Sequence, residues 1–270
     1  MTTTLAIANQ KGGVAKTTSV ASIGAALAEL GHSVLLVDLD PQACLTFSLG
    51  IDPEDLELSV HHVLTKGLEP EEAVIETEDG VSLLPATIEL ARAEADLLTR
   101  TGREQVLRGV LEDLAESGEE YDWVLLDCPP SLGVLTVAAL TAADGVLVPL
   151  QCETLSHRGV GQLLDTVHDV RRFTNKKLEV WGVLPTLYDG RTNHSRTVLE
   201  TISETYDLEV VEPPIPKTIK FAEAPAAGRS ILATSRRSKG AEAYREVAQN
   251  LVARAARPRR ARTKKKSAKA

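Results

Sequence analysis

Residues 9–18 read NQKGGVAKTT, and they lie between a short apolar run at 5–8 and a stretch of helical apolar period at 17–30. A strand that turns through two glycines straight into a helix leaves few architectures open. The helix must cover one face of a sheet, and the following strand must return parallel to the first. Gly12 and Gly13 allow backbone N–H groups to turn toward an anion, and the helix N-terminus adds its partial positive charge. Lys16 stands where a lysine reaches the β and γ phosphates of a nucleotide, and Thr17 where a hydroxyl meets Mg²⁺. The strict pattern G-x-x-x-x-G-K-[ST] is not kept, because Gln10 and Ala15 occupy the two outer glycine positions. A Gly-Gly turn before an ordinary helix is the competing reading.

The rest of the chain alternates in the same way. Short β-rich runs at 5–8, 33–37, 81–84, 123–126, 146–150, 179–184 and 209–211 are predicted as strands. Most are continuously apolar, as strands covered on both faces are. Helices are expected at 17–30, stopped by Gly31, and at 103–116, 160–173, 196–205 and 240–255. The acidic stretch 70–79 reads as a short helix with a solvated face. The fold class is therefore α/β, a mostly parallel twisted sheet flanked by helices, with one domain over 1–256. Residues 257–270 are almost wholly Pro, Ala, Arg and Lys, and are expected to be a disordered basic tail.

Two carboxylate segments accompany the glycine loop. Asp38-Leu39-Asp40-Pro41-Gln42 and Asp127-Cys128-Pro129-Pro130-Ser131 each follow an apolar strand, where ligand sites of parallel sheets collect. A carboxylate at a strand end often only caps the next turn, but both segments together with the loop make coincidence improbable. Charge narrows the partners. The chain has 30 basic and 38 acidic residues, net −8, yet 254–270 hold nine basic residues and no acidic one. The remainder has 21 basic against 38 acidic residues, net −17. Such a body binds a polyanion only through a local patch or the tail. No apolar run approaches the ~20 residues of a membrane span, and the N-terminus lacks the pattern of a signal peptide. Cys44, Cys128 and Cys152 form no CxxC pair, which suits a reducing cytoplasm.

The second lysine, Lys11, ahead of the glycines resembles the deviant Walker A box K-G-G-x-x-K-[ST]-[ST] of the ParA/MinD superfamily. The carboxylate segments are similar to that family's Walker A′ and Walker B. The stretch Val148-Pro149-Leu150-Gln151-Cys152-Glu153 is similar to its V-P-x-x-x-E. Residues 182–192 look like the strand and loop that follow, and 215–225, IPKTIKFAEAP, resembles the I-P-R-N-V-R-x-x-E-A-P stretch of chromosomal, Soj-type ParA. The resemblance spans residues 6 to about 249 and implies a P-loop ATPase using ATP and Mg²⁺. It places Lys11, Gly12, Gly13, Val14, Ala15, Lys16, Thr17 and Thr18 around the phosphates, with Lys11 reaching the nucleotide of a partner copy. Asp40 would orient the attacking water, and Asp38 would support the loop. Thr17, Asp40 and Asp127 would surround the metal. Glu153 would lie near the ribose, and Pro216 and Thr218 near adenine, Thr218 standing where asparagine is more usual. Glycine usually stands where Ala15 is. The resemblance places Arg191 and Lys220 where basic residues grip DNA, and Lys217 and Arg237, within 235–239, are expected to adjoin them.

The partners so implied are a second copy held by ATP, double-stranded DNA bound without sequence preference, and a ParB-like activator. No arginine is placed as a finger in cis, so intrinsic turnover is expected to be slow. The expected location is cytoplasmic and nucleoid-associated, in chromosome or plasmid segregation. A MinD-like or other cargo-positioning ATPase is the alternative, but the tail lacks the large apolar residues of an amphipathic membrane helix. An iron–sulfur ATPase wants paired cysteines. A scaffold with a vestigial loop does not need Lys16, Thr17, Asp40 and Asp127 together.

Overall fold

The computed structural model describes residues 2–118, 120–153, 156–190 and 193–257. Seven strands, β1 (Thr3–Ile7), β2 (Val34–Asp38), β3 (Ile75–Glu76), β4 (Ser82–Leu84), β5 (Trp123–Asp127), β6 (Gly145–Gln151) and β7 (Glu179–Thr186), form one sheet. Its order is β3-β4-β2-β5-β1-β6-β7. Every neighbouring pair is parallel except β3–β4. The helices are α1 (Lys16–Glu29), α2 (Cys44–Ser48), α3 (Val60–Lys66), α4 (Leu90–Leu98), α5 (Val106–Glu116), α6 (Val134–Ala142), α7 (Ser156–Phe173), α8 (Asn193–Tyr206), α9 (Lys220–Glu223), α10 (Ile231–Thr234) and α11 (Lys239–Ala255).

The apolar strands are covered on both faces, as their composition requires. Leu5 and Ile7 of β1 pack with Val20, Ile23 and Leu27 of α1 and Tyr244, Val247 and Leu251 of α11. Ala6 and the following Ala8 point the other way, into a cluster with Leu135 and Ala139 of α6 and Val160 and Leu163 of α7. Gly24 lets α1 lie close on the sheet, since a Cβ there would stand 2.7 Å from Leu36 Cδ2. The same register fixes the site. Ile7, Asp38 and Asp127 end three neighbouring strands, with Asp127 opposite both Ile7 and Asp38.

Several expectations change. Residues 209–211 form only an isolated bridge, Val183 to Val210, beside β7. Pro213, Pro214 and Pro216 have no N–H to donate, so the pairing cannot lengthen into a ladder. The stretch 70–79 is not a helix beyond the 3₁₀ turn Pro70–Glu72. It continues into β3, and a turn with Gly80 at φ +72° returns the chain to β4. Helices α2, α3, α4, α6, α9 and α10 were not expected. In α6, VLTVAALTA, seven of nine residues are buried, so no polar face interrupts the apolar run to reveal a helical period. The basic tail from 258 onward lies outside the described residues.

Candidate nucleotide-binding site

The loop between β1 and α1 is held in an unusual backbone path. Gly13 has φ +72°, and Ala15 has φ +63° and ψ +37°. For alanine the left-handed region costs about 1–2 kcal/mol, so surrounding contacts must hold this turn. One of them is Asn9, 2% exposed. Its Nδ2 donates to the Pro149 carbonyl of β6 at 2.8 Å, and its Oδ1 accepts from the Lys11 N–H at 3.0 Å. α1 begins with no side-chain cap and no acid in its first turn. Its N-terminal N–H groups are left for an anion.

The two lysines of the loop have different surroundings. Lys16 is 8% exposed, and its Nζ approaches the Lys11 carbonyl at 3.4 Å. Burial lowers its pKa from the ordinary lysine value, and the Asp127 and Asp40 carboxylates oppose that shift. Lys11 turns outward instead, and its Nζ forms an ion pair with Glu153.

The carboxylates divide their work. Asp38 is fully buried and accepts from the Asp40 N–H at 3.1 Å, the Thr46 N–H at 2.9 Å and the Thr46 hydroxyl at 2.8 Å. Burial still pushes its pKa up to about 6 against those hydrogen bonds. The Thr46 hydroxyl also accepts from the Ala86 N–H at 3.0 Å, tying α2 to the chain after β4. Asp38 thus organises the segment that presents Asp40. Asp40 is half-buried, with Oδ1 accepting from the Gln42 N–H at 3.0 Å. Asp127 is 1% exposed, and neither carboxylate oxygen has a hydrogen-bond partner. Burial raises its pKa well above the usual range, with the Asp38 charge adding to the shift, while the nearby Thr17 hydroxyl and Lys16 favour the charged form.

An orphaned buried carboxylate beside a threonine hydroxyl fits a hard cation with oxygen ligands. Among the described residues no group of three or more His, Cys, Asp or Glu side chains could cage a metal alone. Mg²⁺ is usually held by one or two carboxylates together with substrate phosphates. Burial pushes the Cys128 thiol up, which leaves it a small core residue.

The segment after 209 borders the β7 side of the loop. Tyr188 pairs with Pro216, and the Lys217 N–H donates to the Tyr188 carbonyl at 3.3 Å. The Thr218 hydroxyl accepts from the Lys220 N–H at 3.3 Å. Lys217, Lys220 and Arg237 are exposed, and Lys220 pairs with Glu223 at 2.7 Å. Phe221 packs on Tyr244, and a Cβ on Gly240 would stand 2.7 Å from the Phe221 ring. Lys220 and Arg237 therefore flank one contact between α9 and the start of α11. Arg191 lies outside the described residues. Sequence reasoning missed Asn9 and Thr46. Thr46 stands between Leu45 and Phe47, and that isolation was the available signal, whereas Asn9, followed by Gln10 and Lys11, offered none.

Residues 2–180 match the family described as AAA domain. The chain is 41% identical over 250 residues to the sporulation initiation inhibitor protein Soj of Bacillus subtilis, covering 92% of this chain and 98% of that protein. It is 40% identical over 251 residues to the chromosome partitioning protein ParA of Caulobacter vibrioides, covering 93% and 94%. Among solved structures it is similar to one described as cobyrinic acid a,c-diamide synthase from Mycobacterium smegmatis with bound ADP and magnesium. That similarity has a TM-score of 0.83 and 57% identity over 93% of this chain and 94% of that one.

Proposed function

Because the chain belongs to the ParA/MinD family of P-loop ATPases, we propose that it is a ParA-type partitioning ATPase that dimerises on ATP, binds DNA without sequence preference and is stimulated by a ParB-like activator. The enzyme hydrolyses ATP to ADP and phosphate with Mg²⁺, as family membership and the nucleotide-bound relatives indicate. Residues 1–256 are its ATPase domain, and the segment beyond is an appended basic tail.

The loop N–H groups and Lys16 bind the phosphates, and the α1 N-terminus adds its dipole. Thr17 and Asp127 would hold Mg²⁺, with Asp40 at its margin; when bound, the ion neutralises phosphate charge. Asp40, held by Asp38, orients the attacking water. Val14, Ala15 and Thr18 complete the cradle, Glu153 borders the ribose, and Pro216 and Thr218 border the base. Phosphoryl transfer asks for little more than positioning and charge neutralisation.

The observation that carries this reading is the division of the two loop lysines. Lys16 is buried near the Asp127 and Asp40 carboxylates, whereas Lys11 is half-buried and pairs with the more exposed Glu153. A cation in that position can leave Glu153 for the γ-phosphate of a second copy. Lys16→Ala should lose nucleotide affinity in the monomer. Lys11→Ala should keep it and fail to dimerise with ATP. Nucleotide titration and size-exclusion chromatography of both variants test this, and equal loss of monomer binding would overturn the trans role.

The diamide-synthase description of one similar structure supports a second reading, an ATP-dependent amidation. That activity needs a carboxylate acceptor and a nitrogen donor. ATP hydrolysis that proceeds without either, and rises with DNA and an activator, separates the two. The same proposal places the protein on the nucleoid. No described helix is long and apolar enough to cross a membrane.

A further inference from the structure

The last residue of β7 reaches the phosphate loop. Thr186 is fully buried, and its hydroxyl donates to the Val14 carbonyl at 2.9 Å, across 172 positions of sequence. Val14 is itself 1% exposed. The helical ladder of α1 does not claim that carbonyl, because the first bond entering the helix runs from the Ser19 N–H to the Ala15 carbonyl. A trans peptide is planar, so its C=O and N–H point in opposite directions. Fixing the Val14 oxygen toward Thr186 therefore fixes the Ala15 N–H away from β7, toward the open side of the loop. The peptide so fixed leads into the residue with the least favourable backbone of the turn, Ala15 at φ +63°. Where glycine would tolerate that conformation freely, alanine must be held in it.

Thr186 also stands at the junction with the base-side segment. Leu187, the next residue, has φ +48° and turns the chain sharply. The Tyr188 N–H then donates to the Ile215 carbonyl at 2.9 Å, and the Ile215 N–H to the Pro185 carbonyl at 2.7 Å. One strand end thus carries the bond to the phosphate loop and the pairing to the segment of Pro216.

We propose that Thr186 is a positioning residue for ATP hydrolysis: its hydroxyl holds the Val14–Ala15 peptide so that the Ala15 N–H faces the phosphates. This rests on the phosphate-loop assignment. Nucleotide affinity unchanged in Lys16→Ala would remove that assignment, whereas the variants below bear on Thr186 alone.

Thr186→Val keeps the shape and deletes the donor. It should weaken ATP and ADP binding about tenfold, the scale of one buried hydrogen bond, with a matching rise in KM. Thr186→Ser keeps the donor and should restore affinity to within about twofold. Thr186→Ala, which cannot overfill the site, carries the same reading if the valine chain does not fold. A double-mutant cycle adds an outcome that a purely structural role would not give. In an Ala15→Gly background, where the turn needs less holding, Thr186→Val should cost markedly less affinity. Wild-type affinity in folded Thr186→Val or Thr186→Ala would overturn the proposal. So would a serine variant no better than valine, or strict additivity with Ala15→Gly.

Discussion

At the scale of single residues, the site is built from groups that are costly to place. Asp127 is buried with both oxygens unpartnered, beside the equally buried Asp38. In the nucleotide-free protein its carboxyl is a burden, because a buried, unpartnered acid pays for desolvation whether it stays charged or takes up a proton. Asp127→Asn should therefore raise the melting temperature of the apoprotein, by about 2–4 °C for each kcal/mol gained, while abolishing the further rise on adding Mg²⁺ and ATP. A thermal shift assay with and without Mg-ATP checks both halves, and an apoprotein less stable than wild type contradicts the first. Asp40 is only half-buried and hydrogen-bonded to its own turn. Asp40→Ala should leave ATP binding intact and slow hydrolysis by about a hundredfold or more, the range of a lost water-orienting group. An ATP-dependent dimer that persists, seen by size-exclusion chromatography, would accompany that loss. An unaltered hydrolysis rate would exclude the assigned role.

At the scale of elements, what could be read from the sequence depended on whether a segment answers to local or distant chemistry. β1, β2, β5 and β6 are apolar enough to announce themselves, and Gly31 marks the end of α1. The glycine loop and its two carboxylate partners were legible because their spacing encodes a strand end, a turn and a helix start. The 209–211 stretch looked like a strand because Val210 and Val211 have the composition of one; the prolines downstream decide otherwise. Asn9 and Thr186 could not be assigned from sequence, since each acts through a carbonyl more than 100 residues away. Ala15 shows the same limit: its departure from glycine is plain in the sequence, but its left-handed backbone is not. That element yields its own prediction. Ala15→Gly relieves a strain of about 1–2 kcal/mol but loosens the empty loop. The expected result is a higher apoprotein melting temperature together with an unchanged or lower kcat. A melting curve and a steady-state ATPase assay check it, and a destabilised Ala15→Gly protein would show that the turn is not strained.

At the scale of the whole molecule, the proposed DNA binding has two candidate sources of positive charge. One is the exposed group of Lys217, Lys220 and Arg237 around the α9–α11 contact, and the other is the tail. The proposed ATP dimer would double the first, and phosphate contacts add in number, so patch-driven DNA binding should rise steeply with ATP. Each neutralised phosphate contributes about −0.9 to the slope of log affinity against log salt. Roughly four to six contacts then cost on the order of a hundredfold or more between 50 and 200 mM salt. Truncation after Arg254 removes eight of the nine tail cations. If the truncated protein keeps ATP-dependent binding and Lys220→Glu or Arg191→Glu removes it, the patch is the DNA-binding element. Binding lost on truncation and indifferent to both charge reversals assigns it to the tail.

The position of β1 also sets an order of events at the ribosome. β1 precedes the other six strands in sequence, yet it lies between β5 and β6, and α1 is covered by α11, where the Ser19 hydroxyl meets the Tyr244 hydroxyl at 2.9 Å. The loop that leaves β1 cannot be mounted until residues 123–151 have emerged, and its helix stays uncovered until α11 (Lys239–Ala255) has been released. Contacts of such long sequence separation form slowly. Until β5 and β6 have been made the nascent chain carries an unassembled nucleotide site, so nucleotide capture must follow their emergence.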